Sequence, residues 1–191
     1  MKIYEIGADY DHYDTCVIDL KALKIEDAQV TTGLFFNFDG SESADIWWPR
    51  PMERLHKRRR KLGDFISSYD SGAMILERQA IEKLSPVLGR IEILPLLCPF
   101  GDYRCVNVLG TVDCLDYENS EFSAFDYPNP DGTPRVIMFQ KYAFIPERLQ
   151  GSHVFRLANT PKGGLYADDV FVEEVAKHGI TGFEFNLLWE G

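Results

Sequence analysis

Hydrophobic and polar positions along the chain change period several times, and each change predicts an element. KIYEIGADY alternates loosely and predicts a first strand, CVIDL predicts a second, and a polar, aspartate-rich turn lies between them. VTTGLFFNFDGSES reads as a strand or two ending at the turn signal Asp39-Gly40. In DIWWPRPMERLHKRRRKLGDF, Pro49 and Pro51 predict an extended, irregular connection and then a short polar helix. A hinge or lobe boundary is expected there, near 47–62, within one domain spanning 1–191. GAMIL predicts a short apolar strand, and ERQAIEKLSPVLGR places Ile81, Leu84 and Leu88 on one helical face ending near Gly89, with Pro86 leaving open an earlier stop at Ser85. IEILPLLCPF and YRCVNVLGTVDCLD supply β segments, the first demoted to an edge or bulged position by Pro95. NPDGTPR is a turn and VIMFQKYAFI a long apolar strand-like run.

The last stretch, His153 to Trp189, is the most ordered. HVFRL predicts a half-buried strand, NTPKGG a turn and LYA its continuation. Asp168 is placed as an N-cap, Phe171, Val175 and Ala176 as the inward face, Glu173 and Glu174 as the outward one, and Lys177 and His178 at the carbonyl end. Gly179 is placed for a left-handed C-cap, and GFEFNLLW closes the chain as a strand. Strands in runs between isolated helices, without regular βαβ alternation, predict an α+β fold with a mainly antiparallel sheet.

Composition narrows the partners. The 191 residues include 20 basic and 30 acidic side chains, a formal net charge of -10, which disfavours nucleic acid and anionic lipid. Met1 to Ile46 carries 3 basic and 10 acidic residues, Trp47 to Leu62 carries 7 and 1, Gly63 to Pro134 carries 4 and 12, and the remainder 6 and 7. The chain is thus acidic with one basic island. Cys16, Cys98, Cys105 and Cys114 lack CxxC spacing and predict free, mostly buried thiols of a reducing cytoplasm. The acidic start MKIYEIGADYDHYD does not read as a signal peptide, and no apolar run reaches membrane-spanning length, so a cytoplasmic protein without a membrane partner is expected.

Catalytic signatures are sparse. GxxxxGK[ST], GxGxxG after a strand, HExxH and GxSxG are all absent, which excludes several large families but not an enzyme with dispersed catalytic residues. His12 among Asp9, Asp11 and Asp14 has the density of a Ca²⁺ loop but lacks the glycine and terminal Glu of an EF-hand, so a solvated acidic turn is the simpler reading. His153 and His178 have no partner singled out by spacing. HKRRRK, His56 to Lys61, could contact phosphates, yet no stacking motif accompanies it; a solvated face paired with the protein's own carboxylates fits better, and no nucleic-acid partner is expected. Of Trp47 and Trp48, at least one belongs to a core, and Trp48 is a candidate partner contact.

Three segments together resemble a known family: GDFISSYDSGAMILERQAIEKLSPVLGRIEILPL, YRCVNVLGTVDCLDYENSEF, and HVFRL followed by LYADDVFVEEVAKHGITGFEF. In this order, from Gly63 to about Trp189, they resemble the bacterial immunity proteins of polymorphic toxin systems, the group numbered eleven. The resemblance implies a cytosolic protein that binds and neutralises a cognate toxin, encoded beside it, with no reaction, no catalytic residue and no cofactor. Electrostatic capture of a basic toxin calls for an acidic face, and the acidic clusters least explained by caps are Asp9, Asp11 and Asp14, and Asp116, Glu118 and Glu121. The competing expectations are an intracellular enzyme, and a structural or nucleic-acid adaptor using Arg58, Arg59 and Arg60.

Overall fold

The computed structural model describes residues 1–23, 38–56, 60–68 and 71–191. The part of VTTGLFFNFDGSES before Phe38, and Lys57, Arg58 and Arg59 of the basic run, lie outside the described residues. Twelve strands and two α-helices are described: β1 (Lys2–Ala8), β2 (Cys16–Ile18), β3 (Arg50–Arg54), β4 (Phe65–Ser68), β5 (Ser71–Glu77), α1 (Arg78–Leu84), β6 (Ile91–Leu97), β7 (Tyr103–Val108), β8 (Glu121–Ala124), β9 (Val136–Lys141), β10 (Val154–Phe155), β11 (Tyr166–Asp168), α2 (Asp169–Lys177) and β12 (Phe183–Glu190). The fold is α+β with antiparallel pairing dominant.

The strands divide into a closed barrel, β2-β3-β6-β7-β5-β4, a four-stranded sheet, β10-β11-β1-β12, and a separate two-stranded ribbon, β8-β9. Two junctions of the barrel are parallel, β3 with β6 and β2 with β4; the rest are antiparallel. Cys16, Met52, Ile66, Ile75, Leu94 and Cys105 belong to the barrel's own apolar cluster. A larger cluster is shared by both helices, the barrel and the sheet, with Leu76, Leu84, Val106, Ala167, Phe171 and Val175 among its members. A third gathers Ile3, Cys114, Leu115, Phe144, Phe155 and Tyr166, with Phe139 of the ribbon packed against it.

The barrel and the sheet meet where the chain enters β4 and β12. Asp64 Oδ2 accepts from both the N–H and the Oγ1 of Thr181, each at 2.7 Å, and Phe65 N–H donates to the Thr181 carbonyl at 2.9 Å. Gly182 follows at φ +97°, where an added Cβ would collide with the Phe65 carbonyl oxygen. Only glycine allows that approach.

The expected polar helix after the Pro-Arg-Pro segment is replaced, over 50–54, by β3. Arg50 and Met52 are buried while Pro51 and Glu53 are half-buried, a period of two that fits a barrel strand. Pro51 needs no ladder donor at the start of the strand, and its carbonyl accepts from Asp19 N–H at 2.9 Å. Pro95 marks a change of partner: β6 pairs with β7 from Ile91 to Pro95 and with β3 at Leu96 and Leu97. β6 is therefore flanked on both sides, not an edge strand. The terminal unit follows the sequence reading. Asp168 caps α2 by accepting from Phe171 N–H at 3.1 Å, and Gly179 is left-handed at φ +61°. Ala176 is exposed instead of inward-facing, because Phe171 and Val175 alone fill that side of the short helix.

Candidate partner-binding surface

The first acidic cluster follows the end of β1. Asp9 Oδ1 accepts from His12 N–H at 3.0 Å and contacts His12 Nδ1 at 2.9 Å, closing the turn on itself. Desolvation works to raise the Asp9 carboxyl, but these bonds from His12 hold it below the usual carboxylate range. Asp11 is exposed. Asp14 is only 3% exposed, and its carboxylate faces inward. Its Oδ2 accepts from Arg54 Nε at 2.8 Å, and its Oδ1 from Thr15 N–H at 3.0 Å and His56 N–H at 3.1 Å, with His56 Nδ1 also at 3.1 Å. Asp14 is thus the anchor between β2, β3 and the start of the basic run.

Trp48 is half-buried beside the barrel. The guanidinium of the buried Arg50 lies 4.0 Å from its ring centroid and 4.6 Å from that of Trp47, and Trp47 Nε1 donates to the Pro95 carbonyl at 2.9 Å. Trp47 also stacks on Phe38 at 5.9 Å. Trp47 therefore links Arg50 of β3 to Pro95 of β6, while Trp48 covers the Arg50 guanidinium.

The second acidic cluster surrounds the base of the ribbon. Asp116 accepts from the Asn119 side chain at 2.7 Å and from the N–H groups of Glu118 and Asn119 at 3.1 and 3.2 Å. The Asn119 amide, opposed by some desolvation and joined by those backbone donors, lowers its pKa. Glu118 and Glu121 are exposed, Glu121 lying 3.9 Å from Lys141 across the ribbon. The two clusters stand on different elements: Asp9 follows the end of β1, whereas Asp116, Glu118 and Glu121 lie ahead of and at the start of β8.

The ribbon itself carries the residues that sequence reasoning missed. VIMFQKYAFI reads as a long apolar strand-like run, yet Ile137 and Met138 are 57% and 58% exposed. The cause is a bulge: the register passes from Ser123↔Met138 to Ala124↔Val136, leaving Ile137 unopposed, so consecutive residues both reach solvent. A second shift between Glu121 and Phe122 twists the ribbon further. Near its tip Phe125 and Tyr127, 48% and 54% exposed, stand 5.6 Å apart with the Arg135 guanidinium 5.6 and 5.1 Å from their centroids. Between Cys105 and Pro134 the chain has six acidic residues and no basic one, and that charge run was the available sequence signal. Under β9 lies a cavity of about 320 Å³ lined by Ile137, Met138, Phe139, Tyr142, Leu157 and Tyr166, among others.

A second cavity, of about 330 Å³, lies between Arg90, Gly110 and Gln150. Neither cavity has a His, Asp, Glu or Cys in its lining. His153 Nδ1 lies 2.8 Å from Asp168 Oδ2 and so buttresses the α2 cap, while His178 Nε2 lies 3.2 Å from Glu174 at the other end of that helix. Among the described residues no group of three or more His, Cys, Asp or Glu is placed to hold a metal ion. The four thiols are free; Cys16, Cys105 and Cys114 are buried, and burial pushes Cys98, Cys105 and Cys114 up to about 12. No helix among the described residues is long and apolar enough to cross a membrane.

No curated protein matches the chain. The resemblance read from the sequence begins at Gly63, but the stretch matched by a family model begins later, before β7, and carries the ribbon, α2 and most of β12. Residues 99–188 match the Immunity protein family (Imm11), the family that the sequence segments resemble.

Proposed function

We propose that this protein confers immunity by binding a cognate toxin and occluding its active site or substrate channel, without catalysing a reaction. The observation that carries the reading is the family match over residues 99–188. The charge pattern supports it: the same stretch contains exposed Asp113, Glu118, Glu121, Asp126 and Asp131, a field suited to fast capture of a basic protein surface. Asp9, Asp11, Asp116 and Trp48 extend the candidate contacts, whereas the buried Asp14 acts through the fold. On this reading the protein works in the cytoplasm of a bacterium carrying a polymorphic toxin system, and neither nucleic acid nor membrane is its partner.

The test is co-expression with the product of the adjacent gene. Rescue of growth and co-purification of a stable complex are expected. A well-folded protein that gives neither rescue nor complex removes the immunity reading.

A further inference from the structure

Two features of the β8-β9 ribbon are independent of the acidic clusters that sequence singled out. The first is apolar exposure gathered on one separate two-stranded element: Phe125, Tyr127, Ile137 and Met138 are each about half exposed or more. Isolated exposed apolar residues are ordinary, but a group of four on a ribbon that belongs to neither the barrel nor the main sheet is a patch of the kind that partners cover. The second is the cavity beneath β9, whose lining joins Ile137 and Met138 to Leu157 and Tyr166 of the body of the molecule.

Charge decides what fits. Among the described residues, the exposed Glu118 and Asp126 make no ion pair, and the hydrogen bonds of the Asp131 side chain go to Thr133 in its own turn. Arg135 is held over the two aromatic rings and Lys141 lies 3.9 Å from Glu121, and the six carboxylates between Cys105 and Pro134 outnumber these two cations, so the net field is negative. A second copy would bring the same negative field against itself. A basic protein surface would be attracted.

We propose that this ribbon face is the seat of the toxin: the aromatic pair and the Ile137-Met138 bulge form the desolvated centre, the acidic residues form the rim, and the cavity under β9 receives one apolar side chain from a Lys- and Arg-rich surface. This arrangement of apolar anchor inside a polar rim is how interfaces concentrate affinity in few residues. The proposal rests on the immunity reading and locates it on one element, excluding the Asp9-Asp11 turn from the centre.

The probe is the purified product of the adjacent gene, titrated against the full chain by calorimetry. Ile137→Ser/Met138→Ser and, separately, Phe125→Ala/Tyr127→Ala are expected to weaken binding by about thirtyfold or more. All four residues are solvent-facing, so the variants are expected to fold, and unfolding curves check this. Ile93→Ser/Leu97→Ser, which removes comparably exposed apolar groups from β6, is expected to leave affinity within about threefold. Glu118→Gln/Asp126→Asn is expected to slow association and flatten its salt dependence. In the wild-type protein, hydrogen exchange over 121–141 is expected to slow on binding.

Wild-type affinity retained by both ribbon variants, or protection mapping elsewhere, overturns the location while the immunity reading stands. Wild-type protein that neither binds the probe nor rescues growth removes both. Ribbon variants that abolish self-association in sedimentation, with toxin binding intact, assign the face to a second copy and overturn the proposal.

Discussion

Asp14 separates a structural carboxylate from a partner-binding one. In Asp14→Ala the Arg54 guanidinium, the Thr15 and His56 N–H groups and the His56 ring lose an acceptor that each holds within 3.1 Å. Breaking a buried ion pair by removing one side costs about 3–5 kcal/mol. The lower end applies here, because the Arg54 side chain is 22% exposed and also donates to the Arg60 carbonyl, and the His56 side chain is 45% exposed and can turn to water. The expected loss is therefore about 3 kcal/mol, a fall in Tm of roughly 10 °C for a chain of this size. Asp14→Asn keeps one acceptor oxygen but turns an amide toward donors, so about 2 kcal/mol is expected.

The pH dependence has a definite sign. Burial alone would raise the Asp14 carboxyl, but the bonds from Arg54, His56 and Thr15 outweigh it and hold the folded-state pKa below the ordinary value. A depressed carboxylate stabilises the folded protein above the unfolded-state pKa of about 4, and the contribution disappears as pH falls through the lower folded value. The gap between wild-type and Asp14→Asn stability, measured by urea unfolding from pH 7 down to pH 3, is thus widest at neutral pH and narrows in acid. A variant within about 0.5 kcal/mol of wild type at pH 7 would refute this role. A stable variant with lost toxin affinity would return Asp14 to the partner surface.

Other outcomes follow from the same contacts. Gly182→Ala is expected to destabilise by about 2 kcal/mol or more in urea unfolding, since its Cβ would meet the Phe65 carbonyl at a backbone φ that L side chains rarely adopt; wild-type stability would mean that the junction yields. Asp168→Ala is expected to cost about 2 kcal/mol, combining a lost α2 cap with a lost His153 contact, while Asp168→Asn recovers part of the cap. With an aromatic disulfide reagent at pH 8, all four thiols are expected to label slowly in the folded protein and quickly in urea, Cys98 leading because it is the least buried; a fast folded-state thiol other than Cys98 contradicts the burial that raises them.

Local chemistry made much of the chain legible. α1 stops at Leu84, with Ser85 as its cap, the earlier of the two ends the sequence left open, because Pro86 follows closely, and α2 is capped by Asp168 and closes through Gly179, because capping depends on residues within one turn. The α+β class followed from the order of segments, and the family resemblance covered the stretch that matches Imm11. The loss of the expected helix after Pro51 has a different origin. Nothing in PRPMER alone says that Met52 lies inside a barrel, and only the neighbours β2 and β6 make its alternation decisive.

The candidate surface divides in the same way. Net charge, the basic-free run from Cys105 to Pro134 and the presence of acidic clusters are properties of the sequence, because charge needs no neighbour to exist. Which carboxylates face a partner is decided by distant residues: Arg54 and His56 draw Asp14 inward, some forty positions away, while Glu118 stays in solvent. The same holds for VIMFQKYAFI. Its hydrophobicity predicted an apolar strand, but burial depends on what covers a strand. Among the described residues β9 pairs only with β8, and a bulge at Ile137 turns consecutive apolar residues outward, so the tertiary structure alone makes this apolar segment an exposed face.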